Sequence, residues 1–247
     1  MMEKMASMKT LLVALAHPDD EVGVAGTIAA HADLGHRVVM LFLTKGEMTE
    51  SLGPLPAEDV ARLRVEHGRA AADIIGAEVR FLDFPDTRIE VTADAAYTVA
   101  GEIAAVRPDA VITWGDAWIR GPRHPDHHAT GRIVRNAITL ARIARVVRPA
   151  GPHRGAAPVF TIRDAHSALP EAAVDVTAQL PRLHALADHY RERVGWPPRD
   201  WLEQRVTDAG RAYGVQAAEL MDAWETPAGL YADLTSGGPV SPGPGGD

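Results

Sequence analysis

Apolar positions in the first 146 residues fall into short continuous runs separated by longer stretches of helical spacing. Leu11 to Leu15 is an unbroken apolar run bounded by polar residues, as expected of a strand buried on both faces. Val24 to Leu34 reads as a helix that Gly35 closes. Arg37 to Leu43, dense in Val, Met, Leu and Phe, reads as a second buried strand. Ala57 to Ile75 then has helical spacing with Gly76 behind it, Val79 to Phe84 is a strand, Ala93 to Val106 a helix and Ala110 to Trp114 a strand. A long helix from Asp126 to Val146 follows. This alternation predicts an α/β fold: a doubly wound, mostly parallel, Rossmann-like sheet with right-handed crossovers. Further on, Val159 to Ile162 and Val174 to Val176 read as short strands. Leu180 to Val194 and Arg199 to Tyr213 read as helices, separated by Pro197 and Pro198.

A length of 247 residues suits one domain, spanning 1–235. Ser236 to Asp247 is mostly Gly, Pro and Ser and predicts a disordered tail. A hydrophobic content of 46% supplies a core, and a net charge of −8 argues against nucleic acid or an anionic membrane as partner. No apolar stretch reaches the roughly 18 residues that cross a bilayer. The opening MMEKMASMKT lacks a signal-peptide core, so a cytoplasmic location is expected. The chain has no cysteine, which excludes disulfides and restricts metal ligands to His, Asp and Glu.

Chemistry enters at two places. Ala16-His17-Pro18-Asp19-Asp20-Glu21 follows the first strand, and Arg123-His124-Pro125-Asp126-His127-His128 precedes the long helix. Both sit where loops converge outside the carboxyl ends of parallel strands, the usual ligand crevice of such sheets. His17 and Asp20, on a tight turn stiffened by Pro18, can aim a nitrogen and a carboxylate oxygen at one point. A histidine from the second motif completes the three-ligand set of a catalytic zinc site. A single His-Pro-Asp also reads as a plain helix start, with Asp as cap and Pro in the first turn. Two copies at two strand ends argue for a site.

The strings AHPDDE and HPDHHATG resemble the LmbE/PIG-L family of zinc-dependent N-deacetylases, as do Thr44-Lys45-Gly46-Glu47 and Phe81-Leu82-Asp83-Phe84-Pro85-Asp86 between them. The resemblance runs from Leu11 to about Ile143. It implies one Zn2+ per chain held by His17, Asp20 and His127, a set that other divalent metals also fit. It implies Asp19 as the general base that activates metal-bound water, His124 as stabiliser of the oxyanion and proton donor to the leaving amine, and Asp126 as the carboxylate orienting His124. His128 then reads as a solvated or packing residue. The implied reaction removes an N-acetyl group from an amino sugar or glycoconjugate.

Other residues carry weaker signals. Glu47, after the second strand, and Arg64 are candidates for substrate contact, although the family's glutamate three residues beyond that arginine is His67 here. Asp86, Asp116, Trp118 and Arg120 lie on loops expected to face the crevice, with Trp118 and Arg120 as substrate contacts. Trp196, Trp201 and Trp224 read as core. An amidase acting on a larger acyl group or an S-conjugate would use the same site. A non-catalytic sugar- or nucleotide-binding module is disfavoured, because the first strand is followed only by Gly23 and Gly26 and not by GxGxxG. The expected partner is a small molecule, and a homo-oligomer stays open.

Overall fold

A computed structural model describes residues 7–116, 123–164 and 166–240. Strands β1 (Thr10–Leu15), β2 (Arg37–Phe42), β3 (Glu78–Phe81), β4 (Ala110–Trp114) and β5 (Val159–Ile162) pair in parallel. Helices α1 (Ala25–Asp33), α2 (Ala57–Ile75), α3 (Ala93–Val106) and α4 (Pro125–Leu140) connect them. The chain then adds β6 (Glu171–Asp175), α5 (Leu180–Val194), α6 (Arg199–Tyr213), β7 (Ala218–Ala223) and β8 (Gly229–Tyr231). Strand order is β3-β2-β1-β4-β5-β7-β6-β8, with β7 antiparallel to both β5 and β6.

Alternation along β1 explains the layering. Leu11, Val13 and Leu15 share one core with Ile28, Ala72, Ile75, Leu183 and Leu186 of α1, α2 and α5. Leu12 and Ala14 face the other core, with Val99, Ile103, Ile133 and Val134 of α3 and α4. Each fully buried aliphatic side chain contributes about 1.5–3 kcal/mol. Covered on both faces, the strand reads as one apolar run.

In the second half β5, α5 and α6 fall where expected, and the departures are in the other strands. β7 and β8 are additional strands, and β6 begins three residues before the predicted Val174 to Val176 and ends one residue before it. The reason is visible in β7, AELMDA: Glu219 and Asp222 are both 1% exposed, so two charges interrupt the apolar pattern. The Glu219 carboxylate accepts the Gly26 and Thr27 N–H groups at 2.9 and 2.7 Å, satisfying the start of α1. α4 ends at Leu140 rather than Val146, and β3 at Phe81 rather than Phe84. Residues 236–240 of the expected tail are placed, with the Val240 N–H donating to the Leu230 carbonyl at 2.7 Å; residues 241–247 lie outside the described residues.

Two features of this frame make predictions. Gly131 brings α4 against β4 so closely that a Cβ there would sit 2.1 Å from the Trp114 carbonyl oxygen. Gly131→Ala is expected to destabilise the fold by about 3 kcal/mol or more, at the upper end of overpacking costs, because backbone must move. Urea unfolding checks this; a midpoint equal to wild type would contradict it. The second feature is His31, fully buried, whose Nδ1 lies 2.7 Å from the Thr27 carbonyl and whose Nε2 accepts the Leu234 N–H at 3.0 Å. That pattern requires the neutral ring, and burial holds its pKa below 6.5. The unfolded state therefore takes up the proton first. Stability from this clasp is complete above pH 6.5 and drains as the pH falls below it. Thermal melts from pH 7.5 to 5.5 should lose stability less steeply in His31→Gln than in wild type; equal slopes would exclude His31 as a source.

Candidate active site

β1 ends in a turn whose geometry the sequence motif sets. Asp20 is 8% exposed, and its Oδ2 accepts three donors: the Ala16 and His17 N–H groups at 3.0 and 2.9 Å and the Trp114 indole N–H at 3.1 Å. Oδ1 of Asp20 lies 3.1 Å from His127 Nε2, and Oδ2 lies 3.7 Å from His17 Nδ1. Trp114, the last residue of β4, also stacks on the His127 ring, centroids 3.8 Å apart at 7°. His17, Asp20 and His127 are thus brought together. His127 and His17 outweigh the effect of burial and hold the Asp20 carboxyl well below the usual range.

His17 is enclosed by acids. Its Nε2 lies 3.1 Å from Asp86 Oδ1 and 3.3 Å from Asp126 Oδ2. Burial pulls the His17 pKa down, but Asp126, Asp20 and Asp86 overcome it and push the value up to about 12. A cage that holds a proton this tightly favours positive charge, which a divalent cation also supplies. The nitrogens of His17, His124 and His127 lie within 4.8 Å of one another, as do donor atoms of His17, Asp86, His124 and Asp126. Nitrogen and carboxylate donors in this number suit zinc, so the residues present fit a metal ion.

The second motif serves as helix start and site at once. His124 is the N-cap of α4, its Nδ1 accepting the Asp126 N–H at 3.3 Å, with Pro125 at the first helical position. A neutral His124 therefore carries its proton on Nε2. The Asp126 carboxylate accepts the Thr87 and Ile89 N–H groups at 2.7 and 3.2 Å and reaches His17. Its nearest imidazole contact is thus with His17. Burial, aided by the His17 charge, lowers the His124 pKa; Asp126 opposes that without reversing it.

Asp19 holds the left-handed backbone conformation, φ 99°, which residues other than Gly adopt uncommonly, Asn and Asp more often than the rest. Its N–H donates to Glu21 Oε2 at 2.8 Å, and its carboxylate receives Arg64 Nη2 at 2.8 Å. Burial raises the Asp19 pKa, with Arg64 pulling the other way. Arg64, 2% exposed, also donates to the Pro18 carbonyl, while its Nε and Nη1 have no hydrogen-bond partner among the described residues. Glu21 is fully buried, accepts the Tyr190 hydroxyl of α5 at 2.5 Å, and is pushed by burial to about 8.

These groups open on one cavity of about 500 Å³, whose walls include His17, Asp19, Asp20, Arg64, His124 and His127. Glu47 is not in the wall; its carboxylate accepts the Asp86 N–H at 2.9 Å and so braces the Asp86 turn. Asp116 pairs with Arg135, and His128 Nε2 lies 4.0 Å from Asp116, not in the cavity wall. Trp118 and Arg120 lie outside the described residues. Trp196 and Trp201 are not core: they are 37% and 41% exposed and line the cavity, because the interruption of helix at Pro197 and Pro198 leaves Trp196 in a loop and Trp201 in the first turn of α6. The roles of Trp114, Glu21 and Tyr190 carried no sequence signal beyond Glu21's place in the motif, since each acts through a partner distant in sequence.

Fold and cluster together define an α/β protein with a histidine–carboxylate site, able to hold a metal ion, at the carboxyl edge of its sheet. The chain belongs to the PIG-L family, GlcNAc-PI de-N-acetylase, whose sequence model matches residues 12–138. It is 32% identical to a diacetylchitobiose deacetylase of Thermococcus kodakarensis over 56% of this chain and 52% of that protein. It is 31% identical to a 4-oxalmesaconate hydratase of Pseudomonas putida over 62% of this chain and 60% of that protein. The matches therefore span between half and two thirds of these relatives. In fold, it resembles the N,N'-diacetylchitobiose deacetylase of Pyrococcus horikoshii, with a TM-score of 0.75 and 22% identity, covering 87% of this chain and 83% of that one.

Proposed function

We propose that this protein is a zinc-dependent hydrolase that removes the N-acetyl group from an amino sugar or glycoconjugate. The observation that carries the reading is the convergence of His17, Asp20, His127, His124 and Asp19 on one cavity. His17, Asp20 and His127 would hold the ion, which supplies Lewis acidity toward the amide carbonyl and lowers the pKa of water. Asp19, at the cavity wall, accepts a proton from the attacking water. Arg64 fixes the Asp19 carboxylate. His124 Nε2–H meets charge developing on the amide oxygen, and the proton that Asp19 takes from the water passes by way of His124 to the leaving amine. Asp126 and Asp86 hold His17 in place. Support for the substrate class comes from the family and from the diacetylchitobiose deacetylase relative.

The hydratase relative makes addition of water to an alkene the competing reading. A substrate rich in carboxylates calls for several unbalanced cations, whereas among the arginines of this cavity Arg64 pairs with Asp19 and Arg163 with Asp222 and Glu171, which leaves Arg205 alone without an ion pair among the described residues. Acetate release and metal content, measured together, test the proposal on N-acetylglucosamine, its inositol conjugates, N,N'-diacetylchitobiose and an S-conjugated acetylcysteine. Release from a sugar that stops on chelation and returns with zinc is the expected result. Bound zinc with no acetate from any sugar would overturn it, and acetate from the acetylcysteine conjugate alone would move the reading to an S-conjugate amidase.

A further inference from the structure

Gly195, at φ 74°, closes α5, and the two prolines that follow Trp196 delay the next helix until Arg199. The result is a rim that presents two indoles, Trp196 and Trp201, 5.6 Å apart between centroids and inclined at 47°. Trp114, by contrast, is 4% exposed. Two large aromatics left open side by side mark a surface that meets a ligand. The rim is attached to the catalytic turn. Arg205 of α6 carries its guanidinium 5.7 Å from the Trp201 ring centre and donates to the Gly23 carbonyl at 2.9 Å, three residues beyond Asp20. Trp196, Trp201 and Arg205 share their cavity with His17 and His127.

We propose that Trp196 and Trp201 form a stacking platform for a second, uncharged ring of the substrate, a pyranose or cyclitol joined to the acetylated amino sugar. This rests on the deacetylase reading and extends it from a free monosaccharide to a two-ring glycoconjugate. The reacting acetamide must sit at the histidine–carboxylate cluster built by the loops after β1 and β4. The indoles belong to a separate wall, contributed by α5 and α6. Rigid indole faces offer flat apolar area to the C–H face of a saturated ring at small entropic cost, and the neighbouring Arg205 can donate to ring hydroxyls. Of the arginines that line the cavity, Arg64 and Arg163 are paired with carboxylates, and Arg205, beside the indoles, is the one without an ion pair among the described residues. At about 500 Å³ the cavity lies within the range that ligands of several rings occupy, roughly 300–1,000 Å³.

The test compares acetate release from N,N'-diacetylchitobiose and N-acetylglucosamine by the zinc-supplemented full chain and by Trp196→Ala and Trp201→Ala. The disaccharide-to-monosaccharide ratio of kcat/KM is expected to fall about three- to tenfold for each indole removed, chiefly through KM. Trp201→Leu, which keeps apolar bulk without a flat face, should show the same loss and replaces the alanine variant should that one not fold. An unchanged ratio in folded variants overturns the platform. A second arm needs no turnover: calorimetric binding of the disaccharide to Asp19→Asn protein should weaken by the same factor when either indole is replaced. Binding that depends on the indoles without acetate release would retain the platform and sink the deacetylase reading. An intact protein that neither binds nor hydrolyses the disaccharide would overturn the platform.

Discussion

Asp19→Asn is expected to lower kcat for acetate release by a factor of about 10²–10⁴ while bound zinc stays stoichiometric. Asparagine is the informative replacement. It tolerates the left-handed backbone that Asp19 adopts at φ 99°, and its amide oxygen can still accept from Arg64, so the turn should keep its shape. What disappears is the ability to take a proton. Steady-state kinetics with metal content by atomic emission and a thermal melt separate the possibilities. Activity within tenfold of wild type would remove Asp19 from the role of base. Loss of metal together with activity would make Asp19 part of the ion's support.

Asp20→Ala should act on the metal and the fold at once. Bound zinc after dialysis is expected to fall below about a tenth of an equivalent, because the carboxylate between His17 and His127 is gone. Stability should also drop by about 3 kcal/mol or more, since three buried donors, from Ala16, His17 and Trp114, lose their acceptor at about 1–3 kcal/mol each. Asp20→Asn, which retains an acceptor, should recover most of the stability and little of the metal. Stoichiometric zinc in Asp20→Ala would transfer the ligand role to the alternative trio of His17, His124 and His127.

The first half of the fold could be read from sequence because its strands are buried on both faces and alternate with amphipathic helices. Apolar runs such as Leu11 to Leu15 have no competing interpretation there. In the second half β5, α5 and α6 could be read as well, but β7 could not, for a specific reason: its Glu219 and Asp222 occupy an interior strand and are satisfied by α1 and by Arg163, partners that lie 59 to 193 residues away. Local pattern cannot distinguish a buried charge with a distant partner from a loop. The same division holds in the site. His17, Asp20, His124 and His127 stand in motifs whose spacing implies chemistry, and the structure brings them together. The Asp126 carboxylate meets His17 rather than His124, because β3's loop supplies the Thr87 and Ile89 N–H groups that turn it that way. Trp196 and Trp201 read as core because aromatic residues usually pack, whereas the turn through Pro197 and Pro198 between α5 and α6 leaves both at the cavity wall.

The backbone at position 19 carries a further consequence. Glycine would relax the φ of 99° but would leave the buried Arg64 guanidinium without its carboxylate. Selection for turnover, in the proposed mechanism, retains a carboxylate at the same atom. The strained dihedral angle is thus held by an ion pair whose carboxylate the proposed mechanism also uses. Gains in stability made elsewhere, in the cores beneath α1 to α5, enlarge the range of strain that position 19 can hold without the domain unfolding.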